Sequence, residues 1–309
     1  MAKQFTCRKA AVFSDIHSNY YAFRACYQDA LQKGAELFIF LGDYVSDLAD
    51  PRRTLDLVYE IKEKHPTVCL RGNRERYMLE CMRGITSFSK GSKTGSLLYT
   101  FHQLRPRDFA FIEALPIYDE IALNGISVEI AHGSATDDRF YFEGIDRNTE
   151  TVFAQMKYDY FLGGHCHRQY IRQSGEKTIC NPGSVGVPRE HVCSTQYAML
   201  EVNHREMQFS LCQIPYDIPA MIHRQFESGL VEMAPYWAIG ALYDVLTGEE
   251  YTMALLERLT GEDVYNEQAW REAAVDLGMC FTEGEILRFF EQVKNRGGKN
   301  ETIYSARIS

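Results

Sequence analysis

Residues 36–44 read Glu36-Leu37-Phe38-Ile39-Phe40-Leu41-Gly42-Asp43-Tyr44: an apolar run of strand length that stops at a glycine and a carboxylate. Two neighbouring runs stop the same way. Lys9 to Ser14 leads into Asp15-Ile16-His17, and Thr67 to Leu70 leads into Gly72-Asn73-Arg74-Glu75. Between these runs lie two helical patterns. One spans Tyr20 to Lys33 and ends at Gly34; the other spans Pro51 to about Lys64, with proline in the first turn, where its missing N–H is no loss. Strand, helix, strand, helix, strand predicts parallel pairing. Ligands of such sheets bind at the carboxyl ends of the strands, where these polar residues fall.

Outward from this unit the pattern changes. From Arg74 to about Leu115 it is helical, interrupted by the small and polar stretch Ser87 to Ser96. That stretch reads as a solvated connector, with a lid touching substrate as the alternative. Ile117 to Leu123 and Ile126 to Ala131 flank Asn124-Gly125, a hairpin signal. Asp159 to Leu162 is a short strand before Gly163-Gly164-His165-Cys166-His167. Two more hairpins follow, Gln169–Gln173 with Lys177–Cys180, and Gln196–Val202 with Met207–Ile214. A parallel half followed by an antiparallel half predicts two sheets face to face with helices outside. Ala220 to Lys294 reads as helices broken near Gly229, Gly248, Gly261 and Gly284. Asp263 and Thr282 read as caps, and Thr282 with Glu285 as a capping box. Asn295 to Ser309 reads as a frayed tail. In the helical part, Tyr236, Trp237, Ile239, Leu242, Tyr243 and Leu246 form a stripe read as core packing, with a dimer face or a cap over the cleft as alternatives.

Composition narrows the function. A chain of 309 residues with net charge -9 excludes a general polyanion binder, so nucleic acid is not expected as a partner. No apolar stretch approaches the roughly 18 residues of a membrane span, and Met1 to Lys9 lacks the apolar core of a signal peptide. Nine scattered cysteines without a CxxC pair fit reduced thiols, so a cytoplasmic location is expected. Cys166, between two histidines in an extended segment, is expected to point away from them.

Asp15, His17, Asp43, Asn73, His132, His165 and His167 together offer the mixed nitrogen and oxygen donors that a divalent metal pair needs. Such a set excludes a structural cysteine-rich zinc site and a pure magnesium site, and favours Mn, Fe, Zn, Co or Ni, with Mn and Fe preferred. Two cations can activate water, hold phosphate oxygens and stabilise the transition state of in-line displacement, with no protein nucleophile required.

The pattern DxH, GD, GNx, H and GHxH resembles that of the calcineurin-like metallophosphoesterase superfamily. Asn181-Pro182-Gly183-Ser184-Val185-Gly186 followed by Pro188-Arg189 is similar to its compact prokaryotic branch of YfcE-type phosphodiesterases. The resemblance runs from about Lys9 to Gly229. It implies an α/β fold, a four-layer αββα sandwich of two mixed β-sheets, carried by residues 1–229, with residues 230–309 a helical C-terminal extension. It implies one metal held by Asp15, His17, Asp43 and His167 and a second by Asp43, Asn73, His132 and His165. The GDxVDRG pattern of Ser/Thr protein phosphatases is absent, since Asp43 is followed by Tyr44-Val45-Ser46-Asp47.

One position departs. Many relatives have histidine after the asparagine, to contact substrate and protonate the leaving group; this chain has Arg74. Guanidinium is a poor general acid and a good phosphate clamp. The expected catalytic residues are therefore Asp43, Asn73, Arg74 and His132, with Arg74, Arg139 and Arg189 contacting substrate. The reaction expected is hydrolysis of phosphodiesters or nucleotide phosphoanhydrides, dinucleoside polyphosphates among them, by a metal-bridging hydroxide. A phosphomonoesterase and a non-catalytic scaffold of the same fold are the alternatives, and pairing of Arg74 with Glu75 or Glu80 along its helix is the bland reading of that residue.

Overall fold

The structure, a computed structural model, describes residues 2–203 and 206–297. Alternation along β2 (Lys9–Phe13) sets the layering. Ala10 and Val12 face one way and Ala11 and Phe13 the other, and all four are fully buried. β2 pairs in parallel with β3 (Leu37–Phe40), which pairs in parallel with β4 (Thr67–Cys69). On the other side β2 meets β10 (Thr195–Val202) antiparallel, and β10 meets β11 (Met207–Ile214) antiparallel. The result is a five-stranded mixed sheet of order β11-β10-β2-β3-β4.

The second sheet has six strands in the order β1-β5-β6-β7-β9-β8. They are β1 (Lys3–Phe5), β5 (Tyr118–Leu123), β6 (Ile126–Ala131), β7 (Tyr160–Leu162), β8 (Gln169–Ser174) and β9 (Lys177–Pro182). One core layer lies between the sheets, joining Val12, Ile39 and Leu70 to Ile121, Val128 and Leu162. Helices α1 (Tyr20–Gln32) and α2 (Pro51–Lys64) cover the outer face of the first sheet over Phe13, Phe38 and Phe40. The outer face of the second is covered by α6 (Arg147–Gln155), which buries Val152 and Phe153 on Ala131 and Phe161. This is the expected four-layer αββα sandwich.

α3 (Asn73–Met82), α4 (Gly95–Gln103) and α5 (Pro106–Glu113) fill the connection between the sheets. Two elements were not expected. β1 is three residues long and polar, and only its parallel pairing with β5 makes it a strand. α6 follows an irregular segment but is capped by Asp146, whose side chain accepts from the Thr149 N–H.

Beyond β11 the chain is helical: α7 (Ile218–Glu227), α8 (Leu230–Met233), α9 (Pro235–Thr247), α10 (Tyr251–Arg258), α11 (Glu267–Asp276) and α12 (Glu283–Gly297). Asp263 is not a cap: it lies inside a 3-10 turn, Gly261–Tyr265, and Asn266 caps α11 instead. Thr282 and Glu285 do pair, through the Thr282 N–H and hydroxyl, which both donate to the Glu285 carboxylate. The tail expected from Asn295 is helical to Gly297; residues 298–309, with the rest of that tail, lie outside the described residues. The six stripe residues of α9 are buried in a core that also takes in Leu48, Ala49, Tyr99 and Val187 from the sandwich. With its apolar face enclosed there, α9 offers no dimer face, and Trp237 reaches the cleft. Among the described residues no helix is long and apolar enough to cross a membrane.

Candidate metal centre

Five chain segments leave the carboxyl ends of β2, β3, β4, β6 and β7 and converge. The loops after β2 and β3 continue each other's ladder beyond the strands: the N–H groups of Asp15, His17 and Ser18 donate to the carbonyls of Gly42, Asp43 and Tyr44 at 3.1, 3.0 and 2.9 Å. To turn their side chains inward these loops adopt left-handed backbone, with φ of 54° at Asp15, 47° at His17 and 53° at Asp43. His165 and His167 do the same at 68° and 60°. Non-glycine residues in this region store about 1–3 kcal/mol each and persist only where surroundings hold them. Gly72 shows how tight those surroundings are: a Cβ there would lie 2.2 Å from Asp43 Oδ1.

The donor atoms form two groups, Asp15 with His17 and His167, and Asp43 with His132 and His165; within each group the candidate ligand atoms lie within 4.8 Å of one another. Asn73, the first residue of α3, points its Oδ1 at His132 Nε2, 3.2 Å away. The ring orientations are fixed from behind. His132 Nδ1 lies 2.9 Å from the Leu41 carbonyl and His167 Nδ1 2.9 Å from the Val187 carbonyl, so each donates from Nδ1 and leaves its Nε2 to face the cleft. His17 Nδ1 is held by Asp47 Oδ2 at 2.9 Å, which frees its Nε2 as well.

These orientations bring acceptors face to face. His17 Nε2 and His167 Nε2 are 3.0 Å apart, and Asp15 Oδ1, buried with no hydrogen-bond partner, lies 3.3 Å from the latter. Lone pairs so placed repel unless a cation lies among them, and the residues therefore fit a metal. A proton can take up part of that role. Burial opposes charge on His17 and His132, yet Asp15, Asp43 and Asp47 overcome it, raising His17 to about 9 and His132 to about 10. Burial and the neighbouring His132 lower His165 to about 3. Asp43 is buried too, but the charge of His132 brings it down to about 2.

Glu75 braces the base of the site. Its carboxylate accepts the backbone N–H groups of Gly72, Asp43 and Tyr44 at 3.0, 2.9 and 2.8 Å. It is thus unavailable to Arg74, and Glu80 pairs with Arg76 at 2.8 Å. Arg74 turns instead into the cleft, with Nη2 3.1 Å from Asp47 Oδ2. The Arg74 Nε is buried and has no hydrogen-bond partner. Asn19 caps α1 and donates to the Gly186 carbonyl at 3.0 Å and to Tyr216 at 3.1 Å, which ties the first loop to residues 184–187. Cys166 Sγ, as expected, turns away, towards Asn181.

The centre opens into a cavity of about 420 Å³. Arg74, Arg189, Tyr77 and Tyr141 line it on the sandwich side, and Trp237, Ala241, Asp244, Glu250 and Met253 on the helical side. Arg189 donates to Tyr141 Oη at 2.6 Å and pairs with Glu250 at 2.5 Å. Arg139 does not reach the cavity: it is exposed on the turn after His132, its N–H donating to Asp137. None of the residues from Ser87 to Ser96 lines the cavity either, although Ser96 Oγ lies 3.4 Å from Asp47 Oδ1; Gly91 is fastened to the Met233 carbonyl at 2.9 Å, which suits a connector. Sequence reasoning passed over Asp47, quoted only to exclude another motif, and over the cleft-lining Asp244 and Glu250.

Comparison with known proteins agrees with this geometry. Residues 9–205 match the calcineurin-like phosphoesterase superfamily domain. The uncharacterized protein MJ0912 of Methanocaldococcus jannaschii is 24% identical over 246 residues, 74% of this chain and 94% of that one. A metallophosphoesterase from Sphaerobacter thermophilus has a similar fold, with a TM-score of 0.61 at 20% identity over 77% of this chain and all of that one. So does the hypothetical protein PH1004 of Pyrococcus horikoshii, at 0.61 and 17% over 73% and 94%. From its strand-end ligand groups to its match over most of the sandwich, this chain belongs to the calcineurin-like phosphoesterase superfamily.

Proposed function

We propose that this chain is a hydrolase of phosphodiester or nucleotide phosphoanhydride bonds, working with two divalent cations. Asp15, His17, Asp43 and His167 would hold one, and Asp43, Asn73, His132 and His165 the other. When bound, such a pair activates water at neutral pH and neutralises phosphoryl charge. Mn or Fe suits the mixed imidazole and carboxylate set.

The observation that carries the choice of bond is Arg74. Its guanidinium lines the cavity, with Nη2 3.1 Å from Asp47 Oδ2 and Nε 3.9 Å from Asp43 Oδ2, and a phosphate in the cavity would be a partner for its remaining N–H groups. Its charge is permanent: burial disfavours it, but Asp47 and Asp43 raise the pKa above the ordinary arginine value. The residue therefore clamps and does not protonate. Leaving groups that depart without a proton are favoured, which means aryl diesters and phosphoanhydrides over alkyl monoesters. Arg189 lines the cavity on the same side, its backbone N–H bonded to the His167 carbonyl at 3.1 Å, and its pairing with Glu250 and Tyr141 holds it in place as a second contact for substrate.

Steady-state rates with added Mn²⁺ on bis-p-nitrophenyl phosphate and on p-nitrophenyl phosphate test this. The diester is expected to be the better substrate. Faster turnover of the monoester would replace this reading with a phosphomonoesterase, and no turnover of either by metal-loaded protein would leave a scaffold.

A further inference from the structure

The superfamily match ends at residue 205, yet a side chain from beyond it is hydrogen-bonded into the cleft. Trp237 is the third residue of α9, and its Nε1–H donates to Asp47 Oδ1 at 2.8 Å. Asp47 is buried, in left-handed backbone at φ 61°, four residues after Asp43. Its Oδ2 takes His17 Nδ1 at 2.9 Å, Arg74 Nη2 at 3.1 Å and Ser46 Oγ at 3.0 Å. Its Oδ1 has Trp237 and, more weakly, Ser96 Oγ at 3.4 Å. One carboxylate thus joins a candidate metal ligand, the candidate phosphate clamp and the C-terminal helices.

We infer that Trp237 is a positioning residue of the hydrolytic site. A carboxylate can swing about its Cβ–Cγ bond, and this one must aim one oxygen at three partners at once. An indole N–H is a donor only and cannot change role. By fixing Oδ1, it fixes where Oδ2 points, which keeps His17 protonated on Nδ1 with Nε2 bare and holds the Arg74 fork towards the cavity. α9 can serve as that anchor because its own Leu242 and Leu246 are fully buried. The C-terminal helices are then part of the catalytic unit and not an appendage. The inference rests on the proposed two-cation centre but not on the choice of substrate.

Trp237→Phe keeps the ring and removes the N–H. Calorimetric titration with Mn²⁺ in the absence of substrate is the measurement, beside thermal unfolding in EDTA. Replacing a partner that orients a ligand directly lowers metal affinity about 10–100-fold, which is the expectation for Asp47→Asn. Trp237→Phe, one bond further out, should weaken one Mn²⁺ site by about three- to tenfold relative to wild type. Its EDTA unfolding temperature should move little. Unchanged Mn²⁺ affinity would overturn the inference, whatever the variant does to stability. Should the variant not fold, the wild type decides: its two tryptophans give two indole N–H resonances. That of Trp237 should shift on addition of Zn²⁺, while that of Trp270, bonded to the Val264 carbonyl at 3.0 Å, should stay. A stationary Trp237 resonance in protein that binds Zn²⁺ would overturn the inference alone. Wild-type protein that binds neither Mn²⁺ nor Zn²⁺ would overturn the metal centre and this inference with it.

Discussion

The two walls of the cleft are built by opposite means. The sandwich wall is polar, made of loop residues in left-handed backbone, and its side chains are fixed by backbone carbonyls and amides behind them. The helical wall is regular, is backed by an apolar core, and meets Asp47 through the Trp237 indole N–H and the Gln225 side-chain amide. Strain is tolerated where donor atoms must converge, and the structure that holds it is made of ordinary packing. Changes in the first wall should therefore abolish chemistry at little cost in stability, and changes in the second, Trp237 apart, should do the reverse.

The largest effect is expected at Asp43, which the proposed centre shares between both ligand sets. Asp43→Asn should lower Mn²⁺-dependent diester hydrolysis by more than about a thousandfold, beyond the loss from an outer partner, and reduce the Mn²⁺ bound per chain. Elemental analysis after dialysis, together with initial rates, checks both. Full Mn²⁺ stoichiometry in this variant would break the contrast at its first wall.

Ile286 in α12 is fully buried in the helical core. Ile286→Ala should cost about 2–5 kcal/mol of stability in denaturant unfolding and leave Mn²⁺ affinity of the folded protein unchanged. Because that core includes Leu48 and Val187 of the sandwich, one transition is expected. Two transitions, only one of them shifted, would show the helices to be a separate unit.

Arg74→His tests the chemistry of the first wall more finely. An imidazole there can protonate a leaving group, and general acid catalysis is worth about 10²–10⁴-fold when the acid is well placed. Placed without further adjustment, it should raise the ratio of alkyl monoester to aryl diester turnover by about tenfold. An unchanged ratio would mean that Arg74 does not stand where the leaving group departs.

The sandwich was legible because its strands are short apolar runs punctuated by glycine, and because the ligand residues sit at those breaks. Gly42-Asp43 and His165-Cys166-His167 declare themselves by composition alone. β1 was not legible, since Lys3–Phe5 is a strand only by virtue of β5. Nor was the role of Asp47: a carboxylate in a loop carries no mark of whether it meets solvent or a guanidinium. Arg139 and Arg189 look alike in sequence, and only tertiary placement puts one on an exposed turn and the other in the cavity. The stripe of α9 showed that a face is buried but not that Trp237 leaves it to bond Asp47.

Asp244 is the buried carboxylate of the helical wall; Glu250, which also lines the cavity, is paired with Arg189. It lies in α9 and accepts the Thr252 N–H at 3.1 Å and hydroxyl at 2.6 Å, which starts α10. Burial raises its pKa from 3.8 to about 7, against the pull of those hydrogen bonds and of Arg189. Between about pH 4 and 7 the folded chain keeps a proton that the unfolded chain has released, so stability falls as pH rises through that window and levels above it. The slope from this group is at most about 1.4 kcal/mol per pH unit. Asp244→Asn cannot ionise, so the wild-type minus variant stability, from denaturant midpoints at pH 4.5, 5.5, 6.5 and 7.5, should fall with pH and then flatten. A flat difference across the series would mean that Asp244 ionises normally and that water reaches it. The cleft would then be wetter on its helical side than the packing of α9 and α10 implies, and the contrast between the two walls would soften where Asp244 meets the cavity.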